Sequence, residues 1–226
     1  MLDLLLNLPR GASPTLMFIG AHCDDIEIGC GGTVLELLQR YPAARVQWVV
    51  LSSEGPRARE ARSAARRLLG RAFARATLLI QSFRGAYFPS EAPAIKDFFE
   101  TLKRHPTPDL ILTHSRDELH QDHRITGELT WNTFRDHLIL EYEIPKYDGG
   151  LGSPQVFMPL AAGTLKRKLA VLMSCFPSQR SKTWFTAETF SALARLRGIE
   201  CNAPSGYAEA FYARKLLLAG GAKGSR

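Results

Sequence analysis

Short apolar runs alternate with longer segments of mixed polarity along most of this chain. Leu16-Met-Phe-Ile19 lies between Pro14 and Gly20, and three similar runs follow at Val46–Leu51, Thr77–Ile80 and Asp109–Thr113. Runs of four to six apolar residues bounded by Pro and Gly predict buried strands. Between them, residues 31–40, 57–70, 91–104 and 123–138 carry the three-to-four-residue spacing of helices. Alternation of buried strands with helices predicts an α/β fold, a Rossmann-like three-layer sandwich with a mostly parallel sheet covered on both faces. In such sheets ligands bind at the carboxyl ends of the strands, so chemistry is expected just after Ile19, Leu51, Ile80 and Thr113. Beyond residue 139 the pattern predicts strands at 139–144 and 156–158, a turn-rich loop at 146–154, and helices near 163–174, 186–197 and 207–218. No linker or repeat divides the chain, which reads as one domain over 1–226, with residues 1–12 and 220–226 peripheral.

The chain has 226 residues, of which 45% are hydrophobic and 23% charged, the balance of a globular domain. Its net charge of +7 admits an anionic partner without requiring one. Much of the excess comes from Arg57, Arg59, Arg62, Arg66, Arg67, Arg71 and Arg75, which crowd one helix and its exit. Without interleaved aromatics this reads as a solvated face and not as a nucleic-acid surface. Arg57 and Arg59 differ from the rest, because they follow the second strand and so lie near the expected rim, in reach of a phosphate or a sugar hydroxyl. The four cysteines include no C-x-x-C pair and are expected as reduced thiols in a cytoplasmic protein. The leading apolar run is interrupted by Asp3 and Pro9, which makes a poor signal peptide, and no run reaches the roughly 18–20 residues of a membrane span. Gly29-Cys-Gly31-Gly32 falls short of a dinucleotide loop because Val34 stands where the third glycine belongs. Those glycines are expected instead to let a helix pack close to the sheet.

Candidate chemistry sits after the first and fourth strands. Ala21-His22-Cys23-Asp24-Asp25 places an imidazole and a carboxylate three residues apart. His114-Ser-Arg-Asp-Glu-Leu-His120-Gln-Asp122-His123 places two more imidazoles three apart with an acid between them. Either cluster alone is commonplace, but a parallel sheet carries both to one rim. Together they hold the donors of a catalytic metal site with one position left for water. His114 ends the fourth strand, positioned either to line the pocket or to bond the loop backbone. If His120 is protonated, Asp122 is spaced to favour that state.

His22-Cys-Asp24-Asp25 with Glu27 and Gly29-Cys-Gly-Gly-Thr33 resembles the His-Pro-Asp-Asp signature of the PIG-L/LmbE metal-dependent deacetylases, and His120-Gln-Asp122-His123 resembles their second motif, His-x-Asp-His. The resemblance runs through Arg67-Leu-Leu-Gly70 and on to Tyr207-Ala-Glu-Ala-Phe211. It implies a zinc ion, with Fe²⁺ or another divalent ion as substitutes, held by His22, Asp25 and His123. It implies Asp24 as general base, His120 as the group that supports the tetrahedral intermediate or protonates the amine, and Asp122 behind them. The implied substrate is an N-acetylated amino sugar or glycoconjugate, with Tyr207 and Glu209 closing the pocket from the carboxyl-terminal side. Two positions depart from the pattern: Cys23 replaces the usual proline, and Leu119 stands where some bacterial members carry arginine. Two rival readings are a metal-dependent amidase for a non-sugar amide and a basic anion-binding module with a structural metal.

Overall fold

The computed structural model describes residues 13–217. The expectations of peripheral termini at 1–12 and 220–226 therefore fall outside the described residues.

The strands β1 (Thr15–Gly20), β2 (Arg45–Val50), β3 (Ala76–Ile80), β4 (Leu110–His114) and β5 (Ile139–Tyr142) run parallel. With β6 (Val156–Pro159) and β7 (Ala208–Ala213) they form one seven-stranded sheet in the order β3-β2-β1-β4-β5-β7-β6. Strand β7 runs antiparallel to both of its neighbours, β5 and β6. Six helices cover the sheet: α1 (Asp25–Arg40), α2 (Arg57–Leu69), α3 (Phe88–Leu102), α4 (Gln121–Thr133), α5 (Ala162–Cys175) and α6 (Ala187–Glu200).

The two-residue period of a strand sorts the core into two faces. Leu16, Phe18, Val46, Trp48, Val50, Leu110 and Leu112 point to the layer that contains α1, α2, α5 and α6. Met17, Ile19, Val49, Leu51 and Ile111 point the other way, against Phe88, Ile95, Phe99 and Leu102 of α3 and Trp131 of α4. Every residue of β1 is buried, which is why it reads as an unbroken apolar run. From β1 the chain builds outward to β2 and β3, then returns to lay β4 against β1 and continue the other way. The crevice between β1 and β4 is thus the switch point at which open α/β sheets hold ligands.

The helix expected over 207–218 is instead strand β7. Its Ala and Glu favour helix in isolation, but pairing of Leu140, Glu141 and Tyr142 with Ala213, Tyr212 and Phe211 on one side, and of Val156–Pro159 on the other, overrides that preference. The same strand explains Glu209. Helix α1 breaks at Cys30, where φ is −143° and ψ 17°, and a break leaves backbone groups without helical partners. Glu209 accepts from the backbone N–H of Gly32 at 2.8 Å and of Thr33 at 2.6 Å. Lys168 donates both to Ile28 O and to Glu209 at 2.6 Å.

The glycines of α1 pack as expected. A Cβ on Gly29 would lie 2.2 Å from the Tyr142 ring, and one on Gly32 would lie 2.6 Å from Leu160. Tyr142 cannot easily retreat, because its hydroxyl donates to Ile19 O at 2.6 Å. Gly29→Ala is therefore expected to lower stability by at least about 1–3 kcal/mol, the usual cost of overpacking. The check is a shift of the urea midpoint with the slope unchanged.

Candidate metal centre

At the end of β1 the chain turns through Ala21–Asp24 and enters α1. The turn is closed by its own carboxylate, since His22 N–H donates to Asp25 Oδ2 at 2.7 Å. Asp24 is the N-cap of α1 but makes no capping bond with its side chain. Its Oδ1 accepts instead from Arg57 Nη2 at 2.8 Å. At the end of β4, His114 is fully buried, and His120 caps α4 with Nδ1 accepting from Asp122 N–H at 3.3 Å. Because β1 and β4 are neighbours, His123 on the first turn of α4 meets the β1 turn.

Three donor atoms converge there. His22 Nδ1 lies 3.2 Å from Asp25 Oδ2 and 3.2 Å from His123 Nε2, and the latter two are 3.4 Å apart. The corners of a tetrahedron about a zinc ion, with ligand distances of about 2.0–2.1 Å, are separated by about 3.3 Å. The triangle has that size without adjustment, and the residues present fit a divalent ion.

The other nitrogen of each imidazole is tied down. His22 Nε2 lies 3.0 Å from Asp122 Oδ2, and His123 Nδ1 lies 2.5 Å from Glu118 Oε1. With those carboxylates accepting, both remaining lone pairs face the triangle, the arrangement that orients metal-binding histidines. The His114 ring stacks on His123 at 3.9 Å between centroids. Its Nε2 accepts from Ala21 N–H at 3.0 Å and stands 3.0 Å from Asp25 Oδ2. His114 thus both lines the site and bonds the backbone of the β1 turn.

The charges follow this geometry. Burial opposes ionisation of Asp25, yet the imidazoles of His123, His114 and His22 hold its carboxyl well below the usual range. Burial likewise opposes a charge on His22, but Asp25 and Asp122 outweigh it and raise His22 to about 9. The triangle attracts positive charge, and a proton at His22 satisfies it when nothing larger does. Asp24 is pushed up, first by burial and then by the charge of Asp25, with Arg57 pulling it down. His120 is lowered to about 4, first by burial and then by Lys146 and His22.

Asp122 does pull His120 upward, as its spacing predicts, but burial, Lys146 and His22 outweigh it. The Asp122 carboxylate is taken by His22 and by the backbone N–H groups of Ala86 at 2.6 Å and Phe88 at 3.2 Å. Ala86 adopts φ 64°, rare for a residue with a side chain, and so turns its N–H onto Asp122. The Cys23 thiol donates to Ser52 O at 3.4 Å, and burial pushes it up to about 12, so it is neither aimed at the triangle nor ionised. Leu119 is exposed.

Of the residues expected to bind substrate, Arg57 reaches the site through Asp24, whereas Arg59 is exposed on α2. Tyr207 packs with Leu160, Leu165 and Ala194 under α6, and Glu209 is consumed by the break in α1. Neither gathers at the triangle. Two residues that sequence patterning did not single out do belong to it. Glu118 orients His123, and Lys146 places Nζ 2.9 Å from His123 Nε2. An acid in the His114–His123 loop was a visible signal for the first. Nothing in the turn-rich loop marked the second.

Among the described residues no helix is long and apolar enough to cross a membrane. Several solved structures share the fold. The 4-carboxy-2-hydroxymuconate hydratase GalB from Pseudomonas putida aligns with a TM-score of 0.72 at 15% identity, covering 92% of this chain and 99% of that one. The N,N'-diacetylchitobiose deacetylase from Pyrococcus horikoshii aligns at 0.68 and 20% identity, covering 93% and 87%. The zinc-inhibited form of the teicoplanin deacetylase Orf2 aligns at 0.65 and 15% identity, covering 88% and 97%. No curated protein matches the sequence at a significant level. A family match spans residues 17–134, from β1 to the end of α4 and including all three triangle residues, and by it the chain belongs to PIG-L, the GlcNAc-PI de-N-acetylase family.

Proposed function

We propose that this chain is a metal-dependent N-deacetylase that removes an acetyl group from an amino sugar or glycoconjugate. The observation that carries this reading is the donor triangle, sized for a tetrahedral ion, with the carboxylate of Asp24 beside it and outside it. Family membership and the deacetylases among the structures of the same fold support it. Zinc is the ion the donor set suits best, and a divalent ion there would polarise the acyl carbonyl and acidify a water.

The residues divide the rest of the work. Asp24 accepts the proton of the attacking water, and its raised affinity for a proton suits a base that must also give the proton back. Arg57 holds one Asp24 oxygen in place. His120 is neutral and uses Nδ1 as an acceptor, so its Nε2–H donates to the oxygen that becomes negative. With His120 neutral, the proton that lets the amine leave comes from Asp24. Asp122 and Glu118 keep the two histidine ligands oriented.

The test is release of free amine and acetate from a panel of N-acetylated hexosamines and their conjugates, with Zn²⁺, Fe²⁺, Co²⁺ or Mn²⁺ supplied. Turnover is expected with ion and lost on chelation, while the thermal unfolding transition remains cooperative. Unfolding on chelation would assign the ion a structural role. Amine release only from non-sugar amides would leave an amidase of another specificity. The hydratase that shares the fold makes product identity decisive, because hydration releases no amine.

A further inference from the structure

We propose that Lys146 is an anion-holding residue of this site, whose ammonium binds the oxyanion formed during acyl transfer and the carboxylate that follows it. Lys146 lies in the loop after β5, and its Nζ approaches His123 Nε2 to 2.9 Å, the same nitrogen that forms one corner of the donor triangle. It is half-buried, and among the described residues no carboxylate lies within 4.0 Å of it. It faces the imidazoles of His22, His120 and His123, with Glu118 and Asp25 further off. A partly buried cation without an ion-pair partner is unfavourable, and folded proteins rarely keep one without something to compensate it.

The backbone holds this position on purpose-built anchors. Glu143, just upstream, accepts from Arg197 at 2.8 and 3.0 Å, from Tyr212 at 2.9 Å and from Gly152 N–H at 3.2 Å, which fixes both limbs of the loop. Lys146 is therefore carried to the triangle by a clamped loop. A divalent ion in the triangle repels an ammonium, so Lys146 adds nothing to ion binding. A ligand that reconciles two neighbouring positive groups is an anion shared between them. A carboxylate fits, with one oxygen for each.

The step that uses it rests on the deacetylase reading. The water oxygen bonds to the acyl carbon, the carbonyl π pair moves onto the acyl oxygen, and the water proton passes to Asp24. The Lys146 ammonium donates to that oxyanion. Collapse breaks the C–N bond and Asp24 returns its proton to the amine. The acid proton follows it, leaving an ammonium product and a carboxylate paired with Lys146. Arg57 on the Asp24 side leaves Lys146 as the cation on the His123 side.

The test uses the full chain and Lys146→Met, with Lys146→Arg as the variant that keeps a cation. Ion affinity is measured by competition with a chromophoric chelator in buffer free of carboxylates. Acetate binding to the Zn²⁺-loaded protein is measured by calorimetry. Lys146→Met is expected to bind Zn²⁺ at least as tightly as the parent and to lose acetate affinity by roughly tenfold or more, the scale of one charge-assisted hydrogen bond. Lys146→Arg is expected to stay close to the parent in both. Loss of Zn²⁺ from Lys146→Met would make the lysine a ligand and overturn the proposal, as would unchanged acetate affinity. If acetate binding falls as expected but no acylated sugar releases amine, the anion site stands and the deacetylase reading alone fails.

Discussion

Asp24→Asn is expected to cut turnover by about 10²–10⁴-fold, the contribution of a positioned general base, while ion content stays near that of the parent. The change is nearly isosteric, and the amide oxygen can still accept from Arg57, which now meets Asp24 Oδ1 at 2.8 Å. What disappears is the ability to take a proton. Asp24 is outside the triangle that Asp25 completes with His22 and His123, so the donor set is untouched. Steady-state turnover and ion stoichiometry on one preparation provide the check. If the variant loses its ion and recovers full rate when ion is supplied in excess, the two adjacent aspartates have exchanged roles.

His123→Ala and His120→Ala are expected to fail in different ways, although the sequence presents the two as near twins. His123 Nε2 is a corner of the triangle, and its Nδ1 is held by Glu118. Removing it takes away one of three donors, and ion affinity is expected to collapse together with turnover. His120 spends Nδ1 on capping α4, which leaves one N–H for the reacting oxygen. His120→Ala is expected to hold its ion nearly as well as the parent but to lose about 2.7–4 kcal/mol of transition-state stabilisation, the scale of one oxyanion donor. It also loses a helix cap worth about 1 kcal/mol of stability. Titrating ion and measuring kcat/KM on both variants separates the roles. Equal loss of ion from the two would indicate a four-ligand structural site.

The parallel half of the sheet was legible because β1, β2 and β4 are buried on both faces, which writes them as continuous apolar runs. The rim that would carry the donors followed from the shared direction of the strands and from where each cluster stands at a strand's end. Strand β7 was not legible. Ala-Glu-Ala-Phe carries no alternation that marks a strand, and its conformation depends on partners lying on both sides of it. The same limit applied within the site. Spacing paired Asp122 with its neighbour His120, whereas the carboxylate serves His22, a hundred residues away across the β1–β4 crevice. Spacing along a chain reports what shares a turn, and it is silent on what the sheet brings together. Lys146 shows the extreme case, a residue in a turn-rich loop whose role appears only once Glu143 and Arg197 fix where that loop goes.

The clamped ends of that loop also make it an exchangeable cassette. Its entry is fixed at Glu143 and its exit at Gly152, whose N–H donates to Glu143 at 3.2 Å, and at Gln155, whose N–H donates to Phe211 O at 3.1 Å. The three donors of the triangle come from other segments and take no part in these fixtures. Residues 147–151 can then be replaced by loops of other length and chemistry while the reactive centre keeps its dimensions. Closing a somewhat longer surface loop adds little entropic cost, a few tenths of a kcal/mol by the usual logarithmic scaling. A library built between Lys146 and Gly152 would redirect which molecules reach the centre, and selection could act on recognition while leaving the centre itself intact.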